Sequence, residues 1–222
     1  MRGRTLRSRI YDGSLYALLL DPWLTPLHRI VAGYIPADSN VLDVGCGTGN
    51  LSVIMAEKAA RVVGIELSPA MADYARRRVA SEQRSNVTIE TADAAMFLAD
   101  RPTGSFDVAT MVLALHEMPA DARKPLLREA ARVARRLIVV DFRIPLPRNW
   151  AGFRNRMAEI AAGAEHYRAF RDFDRRGGTS HIAASAGLRC RRRHVLDGDS
   201  LEICEVRRDP ASGRDQRHPS HG

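Results

Sequence analysis

Short apolar runs alternate with amphipathic stretches along most of the chain. The runs with the length and composition of buried strands are Asn40–Val44, Arg61–Glu66, Val87–Thr91, Phe106–Met111 and Arg136–Phe142. The stretches between them have helical spacing, as in the i, i+3, i+4 series Leu51, Ile54 and Met55. This alternation predicts a parallel sheet covered by helices.

Local signals predict where several helices begin. Ser68 followed by Pro69 combines an N-cap residue with proline at the first helical position, and this helix is expected to reach about Val79. A later helix is expected to begin at about Pro125 and to end almost directly in the fifth strand. The other predicted helices are Leu15–Leu20, Leu27–Tyr34 and a segment from about Trp150 to Glu165.

The C-terminal part of the chain has a different pattern. A turn at Asp197-Gly198-Asp199 joins two β-rich runs, Leu188–Leu196 and Leu201–Arg207, which predicts an antiparallel hairpin. The expected fold class is α/β, a three-layer sandwich in which five parallel strands and this hairpin form one seven-stranded mixed sheet. Residues 209–222 are polar, contain proline and glycine and lack periodicity, so we expect a disordered tail there.

The length and composition fit one globular core. The chain has 222 residues, 45% of them hydrophobic and 27% charged. We expect an N-terminal helical cap segment over residues 1–36, a single domain over residues 37–208 and the tail over residues 209–222. No apolar run approaches the ~20 residues of a membrane-spanning helix, so a membrane span is not expected.

Two further features bear on the compartment. Residues 1–9 are rich in arginine but are not followed by the apolar stretch and cleavage site of a secretory signal. The three cysteines, Cys46, Cys190 and Cys204, lack the spacing of a zinc site or a disulfide framework, so free thiols and no metal site are expected. Together these features predict a cytoplasmic protein.

The strongly basic charge is concentrated at the two ends. The formal net charge is +8, with four arginines and no acid in residues 1–10 and four arginines with two aspartates in residues 207–222. The body of the chain therefore carries only +2. This distribution does not favour a nucleic-acid partner, although it does not exclude one.

The most informative segment is the strand that ends in Asp43-Val44-Gly45-Cys46-Gly47-Thr48-Gly49. Glycines between a strand and a helix permit a tight turn and the close approach of a ligand to the backbone. Glu66 ends the next strand, 21 residues after Gly45. A carboxylate in that position can accept hydrogen bonds from both hydroxyls of a ribose, which indicates an adenosine-type ligand.

The spacing of the glycines argues against a dinucleotide. A dinucleotide-binding loop has the pattern G-x-G-x-x-G, whereas Asn50 occupies the sixth position here. The charge of Asp43 at the mouth of the loop would repel a pyrophosphate but suits a ligand that bears an ammonium group. A cationic nucleoside is therefore expected.

On these residues the sequence resembles the class I S-adenosylmethionine-dependent methyltransferases, within them the small-molecule branch that includes the quinone C-methylases. The resemblance covers about residues 37–145 and implies a Rossmann-like fold. VLDVGCGTGNLS resembles the first motif of the family, VVGIELSPAMADYAR the second, TADAAMF the third, FDVATMVLALHEMP the fourth and RLIVVDF the fifth strand. The family usually has a Lys/Arg-Pro-Gly-Gly turn before that strand, where this chain has Ala134-Arg135-Arg136.

The resemblance also implies a set of cofactor contacts for S-adenosylmethionine. Gly45, Cys46, Gly47 and Gly49, together with Asp43, would hold its methionine part. Glu66 with Leu67 would bind the ribose, Asp93 with Ala94 would contact the adenine, and Met111 would line the floor beneath the transferred methyl. The residues leave simpler roles open, since the glycines could be turn residues, Glu66 a solvated strand end and Asp93 a helix cap.

Methyl transfer from a sulfonium needs mainly an in-line approach by the acceptor in a desolvated pocket. A general base is needed only when the acceptor must lose a proton, and His116, directly after the fourth strand, is the candidate. The alternative role for His116 is a packed or capping histidine.

Specificity for the acceptor is expected from outside the shared motifs. The candidate substrate contacts are Tyr11, Tyr16, Trp23, Asp141, His166 and Tyr167. Asp141 could instead anchor a loop, and the aromatic residues of the later helix could simply pack on the sheet.

The leading hypothesis is methyl transfer to a small-molecule acceptor by a monomer or homodimer. One alternative is methylation of RNA or protein, although Leu113-Ala114-Leu115-His116 lacks the Asn-Pro-Pro-Tyr-like signature of amide methylation. The other is a module that binds the cofactor without catalysis.

Overall fold

The structure is a computed structural model that describes residues 17, 18 and 20–208 of the chain. The strands are β1 (Asn40–Val44), β2 (Arg61–Glu66), β3 (Val87–Thr91), β4 (Phe106–Val112), β5 (Ala134–Phe142), β6 (Leu188–Leu196) and β7 (Leu201–Arg208). They form one seven-stranded sheet in the order β3-β2-β1-β4-β5-β7-β6. The first five strands are parallel, and β7 pairs antiparallel with both β5 and β6. The predicted fold class is confirmed.

Helices cover this sheet and connect its strands. They are α1 (Asp21–Gly33), α2 (Asn50–Met55), α3 (Pro69–Ser81), α4 (Ala94–Ala99), α5 (Ala120–Val133), α6 (Trp150–Ala161), α7 (Ala164–Arg175) and α8 (Gly178–Ser185). A short 3-10 turn, Leu115–Glu117, follows β4. Ser68 caps α3 through its hydroxyl, as its place before Pro69 predicts.

The core lies on both faces of the central strands. The side chains of Val44 in β1 and Met111 in β4 are completely buried, and these two residues are paired in register. Val44 is also paired with Ile65 of β2. The carboxyl ends of β1, β2 and β4 therefore meet at one edge, where the chain reverses its direction of progress across the sheet. In open α/β sheets this is the place where ligands bind.

The N-terminal helix differs from its prediction. A helix was expected over Leu27–Tyr34, but α1 begins at Asp21, with Pro22 in its first turn. Proline is tolerated there because the first backbone N–H groups of a helix have no intrahelical acceptor. Half of the other predicted helix, Leu15–Leu20, lies outside the described residues.

The helix before β5 also begins earlier than expected. The prediction placed its start at about Pro125, whereas α5 begins at Ala120 and contains that proline. The prediction that this helix ends almost directly in the fifth strand is confirmed, because α5 ends at Val133 and β5 begins at Ala134. The direct junction replaces the family's usual glycine turn.

The segment predicted as one helix from Trp150 to Glu165 is divided into α6 and α7. The break falls at Gly163, whose φ of 112° is incompatible with a continuous right-handed helix. The second helix consequently changes direction and returns toward the 3-10 turn after β4. This change of direction matters for the site described below.

Three predictions concern parts of the chain at the limits of the structure. Residues 209–222, the predicted tail, lie outside the described residues, as do Tyr11 and Tyr16. The domain boundaries at 36 and 208 stay predictions.

Within residues 17, 18 and 20–208, no helix combines the length and apolar character needed to cross a membrane.

Candidate active site

The glycine loop after β1 has a backbone that side chains rarely allow. Gly45, Gly47 and Gly49 all have positive φ, at 73°, 55° and 74°. A Cβ on Gly49 would lie 2.9 Å from the Cβ of Ala75 in α3, closer than two carbon atoms can approach. The loop is thus tightly folded against α3, and its glycines are required by geometry rather than being ordinary turn residues.

Glu66 at the end of β2 is joined directly to this loop. Its Oε2 accepts a hydrogen bond from the N–H of Gly47 at 3.0 Å, and its Oε1 accepts one from the N–H of Ser68 at 2.8 Å. Burial raises the pKa of Glu66, while these backbone hydrogen bonds oppose the rise. Each carboxylate oxygen retains capacity for a further donor, so the group can still accept hydrogen bonds from a ligand.

Asp43 lies beneath the loop and is almost completely buried. Its carboxylate accepts hydrogen bonds from the hydroxyls of Ser52 at 2.7 Å and Thr110 at 2.8 Å. Burial raises the pKa of Asp43 to about 6, although both hydroxyls favour the ionised form. A cationic group placed nearby would relieve this cost.

The helix α1 covers the loop from the N-terminal side. Both carboxylate oxygens of Asp21 accept from the hydroxyl of Thr48, at 2.9 Å and 3.0 Å. The same carboxylate forms an ion pair with Arg78 of α3 at 2.5 Å. A narrow cavity of about 50 Å³ lies between α1 and the loop, and its lining includes Asp43 and Leu113. Leu113 has a φ of 52°, an unfavourable conformation for leucine.

The far side of the loop is open. Asp93 caps α4, since its Oδ1 accepts hydrogen bonds from the N–H groups of Ala95 and Met96 at 2.9 Å and 3.1 Å. The helix-cap role is therefore real, and the second oxygen of this exposed carboxylate is available to a ligand. Leu67 and Met96 are 67% and 73% exposed, so apolar surface borders this region.

His116 lies in the 3-10 turn that follows β4 and is almost completely buried. Asp141, at the end of β5, accepts a hydrogen bond from the backbone N–H of His116 at 3.1 Å. It also contacts the ring Nδ1 of His116 at 2.7 Å. Asp141 is itself fully buried. Of the two roles that the sequence left open for Asp141, this geometry is that of the loop anchor.

The other ring nitrogen of His116 faces α6 and α7. Its Nε2 is 3.5 Å from Oε1 of Glu159, whose Oε2 is 3.4 Å from Nε2 of His166. Glu117 approaches the same nitrogen of His166 at 3.2 Å. Burial alone would lower the pKa of His116, but the charges of Asp141 and its other acidic neighbours raise it well above the usual value.

His166 has a similar environment. Burial opposes its charged form, but Glu117 and Glu159 raise the pKa of His166 above the usual value. Its ring centre is 5.9 Å from that of His116. The structure thus brings two histidines, predicted separately as a base and a substrate contact, into one cluster with Glu159.

A buried arginine holds this cluster together. Arg123 of α5 donates hydrogen bonds to the carbonyl oxygens of Leu115 at 3.0 Å and Ala169 at 2.7 Å, and pairs with Asp172 at 2.8 Å. Leu115 belongs to the turn that carries His116, whereas Ala169 and Asp172 belong to α7. The single guanidinium therefore fixes the two histidine-bearing segments relative to each other.

The remaining predicted site residues have different surroundings. Trp23 is 78% exposed on α1 and does not line the narrow cavity. Tyr167 is half-buried, with its ring 6.4 Å from that of Phe170. Met111 is fully buried in β4, and Val112 and Leu113 line the cavity instead. Cys46 and Ala94 lie in the loop and at the start of α4, where they were expected.

Sequence reasoning missed four residues that shape the site: Asp21, Thr48, Arg123 and Glu159. Arg123 and Glu159 are charged residues on amphipathic helices, where the usual position is the exposed face. The available signal for Asp21 was its place before Pro22, because an acid followed by proline is typical of the first turn of a helix. Thr48, Arg123 and Glu159 contact residues that are too distant in the sequence to be recognised from it.

An open, mostly parallel sheet with a glycine loop after β1 and an acidic residue ending β2 defines a Rossmann-like nucleoside-binding protein. Residues 41–136 match the family model described as a methyltransferase domain. This region is thus similar to a methyltransferase domain, in agreement with the resemblance to the class I S-adenosylmethionine-dependent methyltransferases seen in the sequence motifs.

Curated relatives and solved structures agree with this assignment. The chain is 34% identical over 152 residues to 27-O-demethylrifamycin SV methyltransferase of Amycolatopsis mediterranei, covering 65% of this chain and 54% of that protein. It is 39% identical over 84 residues to magnesium-protoporphyrin O-methyltransferase of Rhodobacter capsulatus, covering 36% of each. The chain thus matches about half or less of the length of these relatives.

Among solved structures, the mitomycin 7-O-methyltransferase MmcR superposes with a TM-score of 0.68 at 20% identity. The superposition covers 93% of this chain and 59% of MmcR. At this level of identity the similarity establishes the fold, and the activity must be argued from the site.

Proposed function

We propose that this protein transfers a methyl group from S-adenosylmethionine to a small-molecule acceptor. The observation that carries the proposal is the contact between the two cofactor-binding elements, in which the N–H of Gly47 donates to the carboxylate of Glu66. Because of this contact, a carboxylate that could accept the hydroxyls of a ribose lies beside the glycine loop, and this supports the proposal. The same arrangement does not suit NAD, whose loop requires a different glycine spacing.

The residues present fit this cofactor. Gly45, Gly47 and Gly49 add no Cβ atoms to the loop, so a ligand can approach its backbone closely, and the buried carboxylate of Asp43 suits the ammonium of a methionine moiety. Glu66 has capacity for the ribose hydroxyls, and Asp93 lies next to exposed apolar surface that suits an adenine. When bound, S-adenosylmethionine supplies an electrophilic methyl group, so the protein has mainly to orient the acceptor and exclude water.

The acceptor is proposed to lie on the side of the 3-10 turn, between the glycine loop and α7. Glu117 of this turn is close enough to Glu66 for its charge to raise the pKa of Glu66, which connects the two regions. The names of the relatives given above indicate methyl transfer to oxygen atoms of small molecules. Small hydroxylated aromatic compounds and quinone-like compounds are accordingly the first acceptors to test.

His116 as a general base stays a prediction. Asp141 on Nδ1 would orient the ring as a general base requires, but the opposite nitrogen lies 3.5 Å from Glu159. Because this nitrogen is engaged by other groups of the protein, the proposed function does not depend on proton abstraction by His116.

Isothermal titration calorimetry with S-adenosylmethionine, S-adenosylhomocysteine and NAD tests the cofactor first. We expect micromolar binding of the first two and none of NAD. Transfer of a labelled methyl group is then measured with a panel of small molecules, total RNA and a protein extract. Labelling of small molecules supports the proposal. Labelling confined to RNA or protein, or cofactor binding without transfer to any acceptor, would favour one of the alternatives.

A further inference from the structure

Three side chains from separate elements converge at the cluster behind the 3-10 turn. They are His116 from the turn, Glu159 from α6 and His166 from α7, and their candidate ligand atoms all lie within 4.8 Å of one another. All three side chains are at least nine-tenths buried. Nothing in the proposed methyl transfer requires this combination of groups.

The spacing of these atoms suits a metal ion. Nε2 of His116 and Nε2 of His166 lie 3.5 Å and 3.4 Å from the two oxygens of Glu159. Two ligands at about 2.1 Å from a tetrahedral zinc ion are about 3.4 Å apart. Two imidazoles and a carboxylate are also a donor set that divalent transition metals prefer over calcium or magnesium.

An unsatisfied oxygen points to the same conclusion. Oε2 of Glu159 is buried and has no hydrogen-bond partner among the described residues, although Nε2 of His166 lies at ion-pair distance from it. A buried carboxylate oxygen without a donor is costly. With Asp141 and Glu117 nearby, three carboxylates surround the two imidazoles, and this anionic environment favours a bound cation.

The supports of the cluster are those of a metal site. Asp141 contacts Nδ1 of His116, the carboxylate–histidine arrangement that fixes which nitrogen faces a metal. Arg123 fixes the turn that carries His116 against the helix that carries His166. The ligand positions are therefore set before an ion arrives.

We propose that His116, Glu159 and His166 bind one divalent transition-metal ion of the zinc class. Three protein ligands leave a fourth position for water or for a ligand oxygen. The proposal is independent of the proposed function, because metal binding is measured with neither cofactor nor acceptor present.

The test uses the full-length chain without a purification tag, after treatment with a chelator. Zinc retained after addition of one equivalent and gel filtration is measured by mass spectrometry, and the dissociation constant is measured by competition with a fluorescent zinc chelator. Glu159→Gln and His166→Gln remove ligands while preserving shape. His181→Gln, on the exposed surface of α8, is the matched control.

We expect one zinc ion per chain in the wild type and in His181→Gln. Loss of an outer carboxylate weakens metal binding by about 10- to 100-fold, so Asp141→Asn is expected in that range and loss of a direct ligand beyond it. His218 and His221 are present in every variant, so zinc bound by them does not change. Failure of the wild type to retain zinc, or equal affinity in the wild type and both ligand variants, would overturn the proposal.

Discussion

Asp21 and Thr48 join the N-terminal helix to the glycine loop: the hydroxyl of Thr48 donates to both oxygens of Asp21, at 2.9 Å and 3.0 Å. The same carboxylate pairs with Arg78 of α3 at 2.5 Å. Asp21 is 5% exposed, so these are interactions of a buried carboxylate. The helix α1 is consequently part of the cofactor region rather than a separate appendage.

Replacement of Asp21 by alanine is expected to destabilise the protein by about 1.5–3 kcal/mol, because hydrogen bonds to a buried charged group are lost and Arg78 loses its ion-pair partner. Urea unfolding measures the change. Asp73→Ala, which removes an exposed ion pair with Arg76 at 2.7 Å, is the control and should cost less than about 1 kcal/mol. Equal losses in the two variants would contradict the structural role of Asp21.

A second prediction separates backbone strain from close packing in the glycine loop. Gly49 and Gly104 have the same φ of 74°, but a Cβ on Gly49 would meet Ala75 at 2.9 Å, whereas a Cβ on Gly104 would meet nothing within 4 Å. Both alanine variants should lose about 1 kcal/mol through strain. Gly49→Ala should lose about 1–3 kcal/mol more through overpacking. Urea unfolding of the pair gives the difference directly, and no difference would mean that the loop and α3 are not in contact.

The ribose assignment predicts a loss of cofactor affinity. Glu66→Gln should weaken S-adenosylmethionine binding by about 1.5–3 kcal/mol, which is roughly a 10- to 150-fold increase in Kd, because charge-assisted hydrogen bonds become neutral ones. Calorimetric titration measures the change. The exposed Glu82→Gln should leave Kd unchanged. If Glu66→Gln binds as tightly as the wild type, the ribose lies elsewhere.

The buried carboxyl of Asp43 predicts a pH dependence of stability. Its pKa is about 6 in the folded protein, against a usual value of 3.8. Between these values the folded state retains a proton that the unfolded state has lost, so stability falls as the pH rises from about 4 to 6. The difference corresponds to about 3 kcal/mol, since one pKa unit is worth about 1.4 kcal/mol.

Asp43→Asn removes this titration and provides the comparison. Urea unfolding at pH 4 and pH 7 should show a larger fall in stability for the wild type than for the variant, by about 3 kcal/mol. Other carboxylates titrate equally in both proteins and cancel in the difference. Parallel pH profiles for the two proteins would show that Asp43 is not titrating in this range.

The role of Arg123 leads to the largest expected loss. Arg123→Met keeps the apolar stem but removes the hydrogen bonds to the carbonyl oxygens of Leu115 and Ala169 and the ion pair with Asp172. Because several hydrogen bonds made by a buried charged group are lost together, the expected cost is about 3–5 kcal/mol. Arg128→Met, on the exposed side of the same helix, removes one hydrogen bond and should cost about 1 kcal/mol or less. Thermal and urea unfolding of both variants test the contrast, which would disappear if Arg123 merely filled space.

The order and type of the strands could be predicted from the sequence alone. The bounds of β1, β2 and β3 agree with their predictions because each strand is a short run with buried apolar positions that ends at polar or turn residues. The bounds of β6 also agree, because the turn at Asp197-Gly198-Asp199 marks its end. The cofactor loop was also evident, since its glycines and the carboxylate of Glu66 occupy fixed positions relative to strand ends. These features depend on local chemistry and on residues close together in the chain.

Contacts between groups that are distant in the chain are set by the tertiary structure. Gly163 divides the predicted helix after Trp150, and this break allows Glu159 and His166 to approach His116, which lies 43 and 50 residues earlier in the chain. The sequence pattern does not distinguish Arg123, which holds them together, from the exposed cations of the same helix. Burial of a charge depends on partners contributed by other elements, and hydrophobic periodicity contains no information about those partners.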